Sequence, residues 1–129
     1  MPATTFLEHA THIQFLLNKF SASNAIQRFE LRVDQRSKFR GFIAGLVVFP
    51  GESELHFREF VDLTKTDAKL MYAYHYQNAK NALIFRYDNA AHKPALTQPD
   101  HKHTPDEIIL CPHPPNLVAV IDEILQEVA

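Results

Sequence analysis

LMYAYHYQNAKNALIFRYD, residues 70–88, decides the fold of this chain. Leu70, Tyr72, Tyr74 and Tyr76 fall on one parity of a strand, and Leu83, Phe85 and Tyr87 on one parity of the next. Between them Asn78 to Asn81 form a four-residue loop of hairpin length. With Gln77 paired to Ala82, His75 faces Ile84 and Ala73 faces Arg86, which brings His75, Arg86 and Asp88 out on one face and the aromatic rings on the other. The regular alternation of Tyr72, Tyr74 and Tyr76 places their rings in the core with hydroxyls at its rim.

Upstream of this hairpin the alternation continues. Leu55, Phe57, Val61 and Leu63 share one parity, and Glu59 falls on that apolar parity. A bulge near Phe60 is expected to turn Glu59 outward. Phe39 to Phe49 is almost continuously apolar, with Gly41 and Gly45 inside, as a strand covered on both faces reads. Phe29, Leu31 and Val33 alternate with Arg28, Glu30, Arg32 and Asp34, the pattern of a half-buried strand. The basic groups Arg28, Arg32, Arg36, Lys38 and Arg40 gather around this first hairpin and read as a solvated strand face, with Glu30 and Asp34 interleaved.

Helical spacing brackets the strands. Phe6, Ala10, Ile13, Leu17 and Phe20 form one apolar stripe, and Thr5 with Glu8 has the spacing of a capping box. His9 and His12 then belong to the polar side of that helix. At the other end Asn116 is a good N-cap, and Leu117, Val120, Ile121, Ile124, Leu125 and Val128 make a second stripe. The expected architecture is α+β: an antiparallel meander of five to six strands packed by an N-terminal and a C-terminal amphipathic helix. The 129 residues suit a single domain, with a helix over 5–20, strands over 25–88, a His- and Pro-rich loop over 89–105 with a short edge strand at Ile108 to Leu110 after it, and a helix over 116–128.

Composition narrows the function. A net charge of −2 excludes a strong overall positive field for indiscriminate nucleic-acid binding, so any such contact is local. Cys111 is the one cysteine, which excludes an internal disulfide framework, disfavours a cysteine-rich zinc site and fits a reducing, cytoplasmic setting; its neighbours suggest a buried, inert thiol. No stretch has the length of a membrane helix, and the N-terminus lacks the features of a signal peptide.

Half of the eight histidines lie between Tyr72 and His103. Histidine gives and takes protons near neutrality and is also the commonest transition-metal ligand. His75 lies on a strand, Arg86 and Asp88 end the next, and His92, His101 and His103 follow in a segment broken by Pro94, Pro99 and Pro105. In extended backbone His101 and His103 point the same way. They flank one phosphate or, with His92 or Asp88, bind one metal that activates water. Without a metal, one imidazole takes the 2′-hydroxyl proton of RNA, another protonates the leaving 5′-oxygen, and Arg86 or Lys102 stabilises charge on phosphorus. Arg86 and Asp88 also read as a same-face ion pair.

At these residues the chain resembles a known family. YAYHYQ, LIFRYDNAAH, PDHKH and PPNLVAVIDEI look like the TumE family of prokaryotic toxin-antitoxin loci, over roughly Val61 to Leu125. The N-terminal half follows it in pattern only. The resemblance implies a growth-inhibiting toxin and a cognate DNA-binding antitoxin as partner, and its motif falls on Arg86, Tyr87, Asp88, Asn89, His92, His101 and His103. The resulting expectation is a metal-independent, cofactor-free endoribonuclease in which His92, His101, His103 and Arg86 act on RNA while Asp88, His75, Tyr87 and Asn89 orient them. Two alternatives stay open: a non-catalytic protein-interaction module, and a metal-dependent hydrolase using the H-x-H loop with His92, His101 and His103 as ligands. A homodimer joined at an exposed sheet edge is a further expectation.

Overall fold

The computed structural model describes residues 5–65, 68–90 and 99–128. Helix α1 (Phe6–Ala22) starts where the capping box places it, with the Glu8 amide donating to the Thr5 hydroxyl at 3.2 Å, and buries Phe6, Ala10, Ile13 and Leu17. It runs two residues past Phe20 and ends before Asn24, whose φ of 62° takes the left-handed turn that terminates it. Seven strands follow: β1 (Arg28–Gln35), β2 (Arg40–Val48), β3 (Glu54–Asp62), β4 (Lys69–Gln77), β5 (Leu83–Asp88), β6 (His101–His103) and β7 (Ile108–Leu110). Each pairs antiparallel with the next, in chain order across one sheet, and α2 (Leu117–Val128) closes the chain.

The strand that the sequence reading left inside the loop is β6. Pro94 and Pro99 have no amide hydrogen to give a ladder, but residues 100–104 all do, so the chain is free to pair with β5 once Pro99 is passed. The Thr104 amide then donates to the Glu107 carbonyl at 2.9 Å and turns the chain back into β7.

One face of the sheet carries Ile43, Val47, Leu55, Phe57, Tyr74, Tyr76 and Phe85, all at most 3% exposed, in one core with the buried stripes of α1 and α2. The side chains of Leu70 and Val128, expected to join it, lie outside the described residues. Gly45 is needed here because a Cβ would stand 2.5 Å from the Phe57 ring and 2.9 Å from the Glu30 carbonyl oxygen. On the other face of strand β2 Val48 is buried but Phe42, Ala44 and Leu46 are half-buried, which corrects the strand covered on both faces expected from its apolar run.

Glu59 is a second correction. The register does shift between Phe60 and Val61, but one residue too late to turn Glu59 outward, and it is 1% exposed on the core face. It survives there because it is fully partnered. The Tyr74 hydroxyl donates to it, His9 Nε2 lies 3.1 Å from its Oε1, and Lys69 Nζ is 3.9 Å from its Oε2. Burial pushes its pKa up, but the His9 hydrogen bond, the Lys69 charge and the Tyr74 hydrogen bond outweigh that and hold it below the ordinary carboxylate value. The Tyr74 hydroxyl is thus at the centre of the core, not at its rim.

Candidate functional site

The face of the sheet away from the helices holds the site. Strand pairing puts His103 opposite Arg86, Arg86 opposite His75, and His75 opposite His56. Three imidazoles and one guanidinium therefore stand in a row across β6, β5, β4 and β3, each about 4.8 Å of strand spacing from the next. The hairpin register differs from the expected one. Gln77 pairs with Leu83, the ladder is irregular at Tyr76/Gln77, and His75 meets Arg86 instead of Ile84. The cause is the connection: Asn78 and Ala82 close it with a 2.9 Å backbone hydrogen bond, Asn81 takes a φ of 67°, and β5 then advances an extra residue. The net shift is two residues, so His75, Arg86 and Asp88 still share a face.

Directly beside this row, Asp88 stands opposite His101. Its Oδ2 accepts from Arg86 Nε at 2.7 Å and lies 3.9 Å from His103 Nε2; its Oδ1 is 2.7 Å from His101 Nε2 and accepts from the Ala90 amide at 3.1 Å. Burial raises the Asp88 pKa, but the Arg86 and Ala90 hydrogen bonds and the charges of His101 and Arg86 prevail and hold the carboxyl below its usual range. His101 Nδ1 is in turn 2.7 Å from the Pro99 carbonyl oxygen. Both ring nitrogens of His101 thus face acceptors, an arrangement that a doubly protonated ring satisfies.

His101 is 0% exposed and Asp88 5%, so neither meets solvent. His101, expected among the catalytic histidines, is enclosed between the Pro99 carbonyl and Asp88. His103 remains a quarter exposed, its ring 4.7 Å from that of His101 and edge-on to it. His75 is half-buried, and Arg86 Nη1 is 3.4 Å from its Nδ1, a contact that requires the lone pair on that nitrogen. Burial first and the Arg86 charge second lower the His75 pKa.

Other expected members lie elsewhere. Tyr87 and Lys102 point to the helix side, where the Tyr87 hydroxyl donates to Glu123 Oε1 at 2.6 Å and Lys102 Nζ to Glu123 Oε2 at 2.7 Å. They fasten β5 and β6 to α2. Asn89 accepts from the Tyr72 amide at 3.2 Å and holds the start of β4. His92 lies outside the described residues. His56 and Arg58, absent from the expected set, join the open face. Their parity on β3 was readable; their partners were not.

Asp88, His101 and His103 also offer three ligand atoms within 4.8 Å of one another, so among the described residues Asp88, one of the two expected third ligands, completes a metal-ligand set with the H-x-H pair. A zinc ion needs donors at about 2.0–2.2 Å, and here one Asp88 oxygen is engaged by Arg86 and the other directly by His101.

Over His56, His75 and Arg86 the open face forms a trough of about 1060 Å³ that reaches Arg32. No helix among the described residues is long and apolar enough to cross a membrane. No curated protein and no solved structure matches the chain at a significant level. The profile of the Toxin TumE family, however, matches residues 13–129, well beyond the C-terminal half where the resemblance is readable by eye, and the chain belongs to that family.

Proposed function

We propose that this toxin-family chain cleaves RNA without a metal, using His103 and His75 as acid and base on either side of Arg86. The observation that carries the reading is the row in which the guanidinium stands between two accessible imidazoles on adjacent strands. Arg86 holds the phosphate through the nitrogens that Asp88 leaves open. One imidazole takes the 2′-hydroxyl proton, the 2′-oxygen bonds to phosphorus, and the bond to the 5′-oxygen breaks as the other imidazole protonates it. Asp88 and His101 act as positioning residues, fixing Arg86 and the strand that carries His103. Burial and the Arg86 charge lower the His75 pKa, and the base role requires Arg86 Nη1 to leave the Nδ1 lone pair as it turns to the phosphate.

The test is cleavage of RNA by purified protein in EDTA, with His75→Ala and His103→Ala. Retained cleavage in both variants refutes the assignment; growth inhibition with intact RNA removes the nuclease and favours the non-catalytic interaction module. A second reading, a metal-assisted hydrolase at Asp88, His101 and His103, draws on the 4.8 Å clustering of their ligand atoms and on the His101 Nδ1 contact to a backbone carbonyl, which metal-bound histidines often make. Stoichiometric metal in tag-free protein, with cleavage abolished by EDTA, would decide for it. Family membership supports a DNA-binding antitoxin as partner and a cytoplasmic setting. For a homodimer the edge strand β7 is the fitting surface, since Ile108, Ile109 and Leu110 are 40–46% exposed there.

A further inference from the structure

The trough extends well past the row of imidazoles. Strand register sets out two more rows beside it on the open face. One runs Asp88, Ala73, Arg58, Ala44, Arg32 from β5 to β1; the next runs Met71, Phe60, Phe42 from β4 to β2. Successive rows are two residues apart, about 6.7 Å along the strands. In the middle row guanidinium groups on β3 and β1 alternate with alanines on β4 and β2, which leaves two slots floored by methyl groups. Neither Arg58 nor Arg32 is held in an ion pair with a described carboxylate. Of the two glutamates that line the trough, Glu54 is taken up by His56 at 2.9 Å.

The third row is apolar and open. Phe42 and Phe60 pack with ring centroids 4.6 Å apart, both remain partly accessible, and Met71 is 58% exposed. Arg36 lies over the Phe42 ring at 5.6 Å from its centroid. Two guanidinium groups outside any ion pair with a described carboxylate, beside a line of accessible aromatic rings, are the combination that tracks a phosphodiester backbone while stacking unpaired bases. A duplex cannot use it, because its bases are already stacked on one another.

We propose that the open face seats single-stranded RNA, with phosphates along Arg86, Arg58 and Arg32 and bases against Phe60 and Phe42. This rests on the RNA-cleaving reading and names its substrate class. The strand runs across the sheet, perpendicular to β1–β5, and enters the row of imidazoles at Arg86. The near-neutral net charge of the chain is then no obstacle, since Arg32, Arg58 and Arg86 act locally on the path of the backbone.

The experiment measures binding of a labelled 2′-O-methyl oligonucleotide of about a dozen residues, within the range of single-strand sites and unable to undergo 2′-hydroxyl attack. Fluorescence anisotropy is read over a salt series for the single strand and for its annealed duplex. Wild type should prefer the single strand. Arg32→Ala with Arg58→Ala should flatten the slope of log affinity against log salt by about 1.4, at about 0.7 per single-strand phosphate contact. Phe60→Ala should weaken binding about tenfold, in the range measured for one stacked base. Equal affinity for duplex, or binding indifferent to Arg32, Arg58 and Phe60, overturns the proposal. If the single strand binds through these residues while unmodified RNA stays whole, the cleavage reading fails and the seat stands; cleavage with binding indifferent to them leaves the nuclease and removes the seat. All three positions are at least partly exposed, and unchanged thermal unfolding checks that the variants fold.

Discussion

Asp88→Ala tests the claim that one enclosed carboxylate holds the site together. The carboxylate is 5% exposed and joins Arg86 Nε at 2.7 Å, His101 Nε2 at 2.7 Å and the Ala90 amide at 3.1 Å. Removing one partner of a buried charge pair costs about 3–5 kcal/mol, and the low end applies here because the one-third-exposed Arg86 side chain can rehydrate. His101 cannot, being 0% exposed. We therefore expect a loss of about 3 kcal/mol, which at an m-value of about 2 kcal/mol/M lowers the urea midpoint by about 1.5 M. Asp88→Asn keeps the shape and some of the hydrogen bonds, so about half that loss is expected. The pH dependence supplies a second readout. The folded carboxyl titrates below its unfolded value of about 3.9, so its contribution is complete above that value and disappears as pH falls through the folded one. The gap between wild type and Asp88→Asn should thus be full at about pH 6 and narrow steadily below about pH 4. An Asp88→Ala protein within about 1 kcal/mol of wild type, or a gap to Asp88→Asn that is the same at both ends of that range, would refute the reasoning.

Four further outcomes follow from named contacts. Gly45→Ala places a methyl group 2.5 Å from the Phe57 ring and 2.9 Å from the fixed Glu30 carbonyl oxygen, and should destabilise by about 1–3 kcal/mol in thermal unfolding. Tyr74→Phe removes the hydroxyl that donates to Glu59 and accepts from Lys69 at 2.7 Å, leaving two enclosed charges short of a partner; about 2 kcal/mol is expected from urea titration. Arg86→Gln takes away a cationic neighbour that depresses His75, so an NMR titration should show the His75 pKa rising toward 6.5 while burial still keeps it below; no change would mean that Arg86 does not act on the ring. Ile108→Lys with Leu110→Lys should convert any dimer paired along β7 to monomer on size exclusion, and an unaltered elution volume would place self-association elsewhere.

The meander was legible because its signal is local. Alternation of Tyr72, Tyr74 and Tyr76, and of Phe29, Leu31 and Val33, fixes which side of a strand is buried without knowledge of its neighbour. Both helices were legible for the same reason, from stripes and caps. Strand β6 was not, because three residues are too few to establish a period and flanking prolines mask them. Glu59 failed differently. Its parity is that of a core residue, but the compensation that lets a carboxylate stay in the core comes from His9 and Lys69, fifty positions before and ten after it. Such partners have no signature in a local pattern.

The candidate site divides along the same line. That His101 and His103 point one way, and that His75, Arg86 and Asp88 share a face, follows from period-two geometry on single strands and one hairpin. Which imidazole faces solvent does not follow, because that is set by where the Pro99 carbonyl and Asp88 sit against His101. Spacing treats His101 and His103 as equals, yet one is enclosed between two acceptors and the other is a quarter exposed. His56 shows the converse. In sequence it is an unremarkable polar position on β3, nineteen residues before His75, and it becomes adjacent to the site only through the β3–β4 register. The histidines of the loop and of the sheet therefore come together by strand pairing and not by position in one loop. The row proposed to act on RNA is assembled across strands from residues that no single stretch of chain contains, so it depends on register more than on the density of histidine.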